Sequence, residues 1–191
     1  MNRYFKSFVL IASVAAMLNV TGCANVATQD KSADEYAKEF KAPPKGWAGL
    51  YLYRTCNIFG AGLKKSLYVD GHYLGETSRC RFFYRLVRPG VHRIDTESEF
   101  SENFFTYDFK EGINTFINQY IRLGVFVGGA NIEVKDPEFA KAALKDYSLA
   151  ENKDNPALNL RNASHEPNAG SIPGPVSDEE YRKLEENESK K

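Results

Sequence analysis

The chain has 191 residues, 42% hydrophobic and 13% aromatic, with 25 basic and 25 acidic side chains. That is room for one domain with a core of ordinary size, and 11 Tyr with 13 Phe favour strands over helices. Formal net charge is zero and falls to about −2 without residues 1–22 (23 basic against 25 acidic), which excludes a strongly basic nucleic-acid binder and leaves room only for a local patch.

Arg3 and Lys6 form a basic leader start, and Phe8 to Leu18 is an apolar run of 11 residues. A bilayer span needs about 20, so this run reads as the core of a secretory signal. Val20-Thr-Gly-Cys23 follows. It looks like a bacterial lipobox, in which Cys23 becomes the acylated N-terminus (a palmitate-bearing anchor). Ala24 rather than Asp follows the cysteine, which in a Gram-negative host implies the outer membrane, facing the periplasm; the inner membrane and the cell surface are the other destinations left open. Several acyl chains anchor stably where one binds only marginally.

Residues 23–45 are polar and end in Ala42-Pro-Pro-Lys45, which reads as a tether, with Tyr36 and Phe40 spaced to rest on the domain as an i, i+4 pair. From Ala48 the hydrophobic period becomes two. Strands are expected from Ala48, over Lys65–Val69, His72–Glu76, Arg81–Arg88, Val91–Glu97, Phe104–Phe109 and Asn114–Arg122. Turns fall at Asp70-Gly71, Pro89-Gly90 and Glu111-Gly112, with a glycine-containing loop at Asn57–Gly62. About seven short strands at this spacing predict a mainly β domain over residues 46–150, an antiparallel β-sandwich. Asp136-Pro137 starts a helix whose stripe of Phe139, Ala142, Ala143 and Tyr147 should pack on a sheet. Residues 151–191 are Asn-, Pro- and charge-rich and read as a disordered tail; Ser177 and Glu180 cap a helix there that is marginal alone.

Cys56 and Cys80 are the thiols left once Cys23 is acylated. In an oxidising compartment an even pair suggests a disulfide, closing a loop of about 25 residues and contributing roughly 3 kcal/mol in the chain-entropy picture. His72 and His92 each follow a turn signal and read as surface residues beside turns, while His165 is in the tail. With no His-x-x-x-His, His-Glu-x-x-His or Cys/His cluster, neither a metal nor another cofactor is expected. Asp95, Glu97 and Glu99 share one strand face with Glu102 beyond. Arg81 and Arg85 of the preceding strand would neutralise them if a bulge at Pro89-Gly90 set Arg85 opposite Asp95. Gly124-Val-Phe-Val-Gly-Gly129 lacks the residues of a phosphate loop and reads as a bulge or close backbone approach.

Gly46-Trp-Ala-Gly-Leu-Tyr-Leu-Tyr-Arg54, Leu63-Lys-Lys65, Tyr68-Val-Asp-Gly71, Leu74-Gly-Glu76, Phe82-Phe-Tyr84, Thr96-Glu-Ser-Glu-Phe100 and Gly124–Gly129 together resemble the bacterial lipoprotein family called domain of unknown function 2846. The Asp-Gly … Pro-Gly-x-His pattern is also similar to PEGA-type β-sandwich modules of envelope proteins. The resemblance implies a sandwich and an envelope location, with no catalytic set to carry over.

The expected function is therefore a non-enzymatic binding or structural module of the envelope. Its partner would be an envelope protein, a peptide or the cell wall, and its surface would use Tyr51, Tyr53 and Tyr73 with the acidic strand Asp95, Glu97 and Glu99. The alternative is a carrier of a small ligand or lipid, which needs an apolar cavity between the sheets. An enzyme would need converging ionisable groups such as His92 with Asp95 or Glu97, and positions 92 and 95 face opposite sides of a strand.

Overall fold

The computed structural model describes residues 24–97, 103–122 and 128–152. Cys23, Glu99, Glu102, His165, positions 124–127 of the glycine-rich run and the tail from residue 153 lie outside the described residues. Among the described residues two helices, α1 (Lys31–Lys38) and α2 (Pro137–Leu144), accompany nine strands: β1 (Ala48–Arg54), β2 (Lys65–Val69), β3 (His72–Thr77), β4 (Arg81–Val87), β5 (Gly90–Thr96), β6 (Asn103–Phe109), β7 (Asn114–Arg122), β8 (Gly129–Lys135) and β9 (Ser148–Leu149).

The strands form two sheets, ordered β8-β7-β1-β4-β9 and β3-β2-β5-β6. The architecture is the expected β-sandwich, with one correction: the first sheet is mixed. β7 runs parallel to β1 and β9 parallel to β4. Parallel neighbours need a long connection, and between β1 and β7 it is supplied by β4 and the whole second sheet, β2 and β3 before β4 and β5 and β6 after it. Pro89-Gly90 is accordingly not a hairpin turn. β4 and β5 lie in different sheets, so neither register open to a hairpin there forms, and Arg85 stands opposite neither Ile94 nor Asp95; Asp95 sits opposite Tyr68 and Phe104 instead. The Asp70-Gly71 turn does join β2 to β3, and both of its residues have positive φ, 51° and 74°, as the favoured two-residue hairpin turn demands.

β1 is the centre of the five-stranded sheet and is buried along its whole length. Its inward residues Ala48, Leu50 and Leu52 meet Leu67, Val69, Leu74, Phe83, Ile94, Phe109 and Ile117, which fill the space between the sheets. Its outward residues Tyr51 and Tyr53 join a second core with Trp47, Phe82, Phe116 and the helices. The molecule thus has three layers: helices, five-stranded sheet, four-stranded sheet.

That extra layer revises the reading of residues 23–45. They are not a free tether from Ala24 onward. Gln29 N donates to Leu149 O (2.9 Å), Glu151 N donates to Ala27 O (2.8 Å), and Thr28 bridges Ala150. Asp30 caps α1 by accepting from Ala33 N (2.9 Å), and Ala33 and Ala37 are buried against the sheet. Small side chains at this i, i+4 spacing let the helix approach closely. Tyr36 packs on the same cluster and the Phe40 ring lies 5.5 Å from Tyr51 and 5.9 Å from Phe116, as their spacing implied. The polar composition hid this because α1 buries only alanines along its inner stripe. α2 starts as expected, with Asp136 accepting from Glu138 N (3.0 Å) and Phe139 N (3.1 Å). Its stripe is displaced by one residue: Ala140, Leu144 and Tyr147 are buried with Ala143 partly so, while Phe139 and Ala142 are exposed.

Candidate functional site

Of the six residues expected to bind, Glu99 lies outside the described residues, and the other five divide between a buried core and one outer face. Tyr51 and Tyr53 are 1% and 2% exposed, so neither can present a binding surface. The alternation that pointed them outward was read correctly, but α1, α2 and the chain between them cover that face. Tyr51 is a tie within the core: its hydroxyl donates to Ala37 O (2.8 Å), and its ring stacks on Tyr84 (4.6 Å) and Phe116 (4.8 Å).

Beside this stack lies a small concavity of about 200 Å³, lined by Tyr36, Lys41, Pro44, Tyr51, Tyr84 and Leu86, with Ala42 at its edge. Drug-sized ligands occupy about 300–1,000 Å³, so it holds one side chain or one small ring. Burial pushes the Tyr51 and Tyr84 hydroxyls far above the usual phenol range, and that of Tyr53 up to about 12. They stay neutral donors, and the pocket can stack and hydrogen-bond but offers no activated nucleophile.

These raised values set the alkaline behaviour. The folded chain keeps the three phenol protons above pH 10, where the unfolded chain releases them. Their contribution is complete below pH 10 and is lost as the pH climbs through 10 to 12. Arg54, lowered to about 10 by burial, works in the opposite direction, because the unfolded chain holds that proton longer. Three protons outweigh one, so stability falls by roughly 1.4 kcal/mol per pH unit for each unbalanced proton. Urea midpoints stepped from pH 9 upward, with tyrosinate absorbance followed in parallel, should show the buried phenols ionising only as the chain unfolds; their free titration at lower pH refutes the burial argument.

Tyr73, Asp95 and Glu97 do come together, on the outer face of the four-stranded sheet. Tyr73 rests on Tyr68, ring centres 5.4 Å apart, and Tyr68 is opposite Asp95. Burial, then Glu76, Tyr68 and Glu97, raise the Tyr73 hydroxyl above its ordinary value. The acids are not bare. The Arg93 Nε donates to Asp95 (2.8 Å), and the same guanidinium lies 3.7 Å from the centre of the Phe104 ring. Glu97 accepts from Ser66 N (3.3 Å) and stands 3.9 Å from the Lys65 amino group. The face is therefore an aromatic surface crossed by paired charges, not an acidic patch. Sequence reasoning missed Tyr68, Arg93 and Phe104 here; the period-two pattern of β2, β5 and β6 would have placed them outward once the strand order was known.

His92 is the other correction. It is fully buried, not beside a surface turn. Its Nδ1 meets the Asp70 carboxylate, its Nε2 donates to Arg88 O (2.7 Å), and the second Asp70 oxygen accepts from Arg93 N (2.9 Å). Both ring nitrogens are engaged and the Asp70 side chain is 3% exposed. The pair fastens the β2–β3 turn to β5 and has no edge open to a substrate. His72, expected at the surface beside a turn, does flank the Asp70-Gly71 turn but is half-buried. Cys56 and Cys80 form the expected disulfide across 24 residues of chain. Among the described residues no three His, Cys, Asp or Glu side chains are placed to share a metal ion.

The profile of the family described as "Protein of unknown function (DUF2846)" matches residues 44–130, from the last turn before β1 to the start of β8. An uncharacterized protein of Haemophilus influenzae (strain ATCC 51907 / DSM 11121 / KW20 / Rd) is 39% identical over 151 residues, covering 78% of this chain and 89% of that protein. The chain belongs to the DUF2846 family. No solved structure matches it. The family profile spans β1 to β7 and the disulfide, while most of β8, β9, α1 and α2 fall outside it.

Proposed function

We propose that the protein is a non-enzymatic binding or structural module of the bacterial envelope, acylated on Cys23 and held at the outer membrane facing the periplasm. The observation that carries the reading is the asymmetry of the sandwich. One sheet is roofed by helices, whereas the outer face of the other, bearing Tyr68, Tyr73, Phe104 and the Arg93–Asp95 pair, is covered by no further element among the described residues. Aromatic and arginine side chains are enriched at protein interfaces, with their charges already paired at low entropic cost. The carrier alternative is disfavoured by the packed side chains between the sheets and by a concavity too small for an acyl chain. The partner class is an envelope protein, a peptide or the cell wall. No nucleic acid is expected from a near-neutral chain.

The test is metabolic labelling with a fatty acid followed by in-cell photo-crosslinking from position 106, an exposed site on β6, with Cys23→Ala as control. The expected result is label on the wild-type chain alone and one crosslinked partner that is lost with Tyr73→Ala or Asp95→Lys. Acylation without any crosslink from this face, together with co-purified lipid, would replace the binding reading by the carrier.

A further inference from the structure

We propose that the loop Asn57–Gly62 is a second membrane contact, in which Ile58 and Phe59 enter the headgroup region of the same bilayer that holds the Cys23 anchor. This rests on the anchor reading above and adds an orientation to it: the domain stands on its membrane, one end down.

Three observations on one end of the sandwich meet in this assignment. The first is exposure. Ile58 and Phe59 are 76% and 68% exposed, adjacent in sequence, and the most exposed large apolar side chains among the described residues. A single exposed apolar residue is ordinary, but two at a loop tip form a protruding apolar edge.

The second is rigidity. Loop tips are usually mobile, yet this one is built. Arg54 donates to the carbonyls of Gly60 and, at 2.6 Å, Leu63. Phe59 N donates to Asn57 Oδ1 (3.0 Å), Ala61 N to Ile58 O (3.1 Å) and Leu63 N to Gly60 O (2.9 Å). Cys56 is bonded to Cys80, and its N–H donates to the Tyr147 hydroxyl (3.1 Å). Gly60 sits against Ile121 with no room for a side chain. A fixed apolar tip loses little conformational entropy on insertion.

The third is where the anchor emerges. Asn25 is two residues from Cys23 and accepts from Arg81 Nη2 (2.7 Å); Arg81 follows Cys80 and lies opposite Arg54 in the β1–β4 register. Two residues reach about 7 Å at most, so the anchor leaves the domain from the end that carries the disulfide and the apolar tip. α1 and the Thr28–Ala150 bridge remove the slack that a tether would give. At the same end Lys64, Lys65, Arg79, Arg122 and Lys145 outnumber Glu76, Glu97 and Asp146 among the described residues, a net basic rim suited to anionic headgroups.

The full acylated protein, reconstituted in vesicles of phosphatidylethanolamine and phosphatidylglycerol, provides the test. Its single tryptophan, Trp47, is buried at the far end of β1, about 20 Å away along the strand, and serves as an internal reference. In Phe59→Trp, added emission should shift to shorter wavelength and be quenched when the acyl chains are brominated. In Phe139→Trp, equally exposed but on α2, the added emission should stay water-like and unquenched. If the protein floats with the vesicles while Trp at position 59 remains water-like, the anchor stands and the second contact is wrong. Failure to float with the vesicles removes the anchor reading and this one with it. Protection of position 59 that appears only at high protein density, with crosslinks between copies, overturns it in favour of a dimer.

Discussion

His92→Leu is expected to lower the folding free energy by about 3–5 kcal/mol, the range for removing one member of a buried, hydrogen-bonded pair and leaving the other without its partner. Leucine approximates the ring volume, so the loss comes from the carboxylate left behind rather than from a cavity. Asp70 would keep only the Arg93 N–H on one oxygen, with its second oxygen desolvated and unmatched, and Arg88 O would lose its donor. Asp70→Asn is expected to cost far less, about 1 kcal/mol. Asparagine tolerates the positive φ of 51° at this position, retains an acceptor for Arg93 N, and turns a donor toward Nδ1 while Nε2 still serves Arg88 O. The double variant Asp70→Asn/His92→Leu should recover part of the His92→Leu loss, because the stranded charge is gone. Urea denaturation of the four proteins, with the disulfide intact, gives the coupling energy. Simple additivity would mean that water reaches Asp70 and that the pair is not the clasp it is described as.

The sequence made the β-content, the turns and the disulfide legible because each is written in local chemistry. Period-two runs mark β1 to β7, Asp-Gly forces positive φ at two consecutive positions, and an even pair of cysteines in a small domain suggests a bridge. What it hid is non-local. β8 was missed because its Asn131-Ile-Glu-Val134 alternation follows a glycine run that reads as irregular, and β9 because two residues beside β4 carry no pattern of their own. Strand order decided the rest. An alternating Leu/Tyr strand looks half-exposed until another layer covers its tyrosines, and nothing in Ala48–Arg54 announces that α1 and α2 do so. The same ignorance misplaced His92: following a Pro-Gly pair it looks like a turn flank, but β5 crosses to the second sheet and turns that ring into the interior. Of the candidate residues, Tyr73, Asp95 and Glu97 do share one outer face, as alternation allows, whereas Tyr51 and Tyr53 are buried.

Arg54→Met should cost about 4 kcal/mol and should act first on the loop after β1. The guanidinium is 2% exposed, and burial lowers its pKa to about 10. Its partners among the described residues are backbone carbonyls: Leu63 O at 2.6 Å, Gly60 O, and Thr77 O at 3.3 Å on the other sheet. Methionine fills the channel with a similar length of chain but donates nothing, leaving acceptors that cost about 1–3 kcal/mol each when stranded away from water. Arg54→Lys should recover only part of this, since one ammonium cannot reproduce a planar fork aimed at three oxygens. The neighbouring cross-sheet strap, in which Gln119 bridges the hydroxyls of Thr77 and Thr96, should hold the sheets together, so the loop should loosen before the sandwich does. Hydrogen exchange separates the two levels. The Ala61 and Leu63 amides, bonded to Ile58 O and Gly60 O, should exchange faster in Arg54→Met under native conditions, while the Asp70 amide, bonded to Arg93 O, should keep its protection. Loop amides that stay protected, with a stability loss under about 1 kcal/mol, would show that the Cys56–Cys80 bridge alone shapes the tip. If they are lost, bromolipid quenching at position 59 should weaken in the same variant, because a tip that must be ordered on arrival inserts less readily than one that Arg54 has already set.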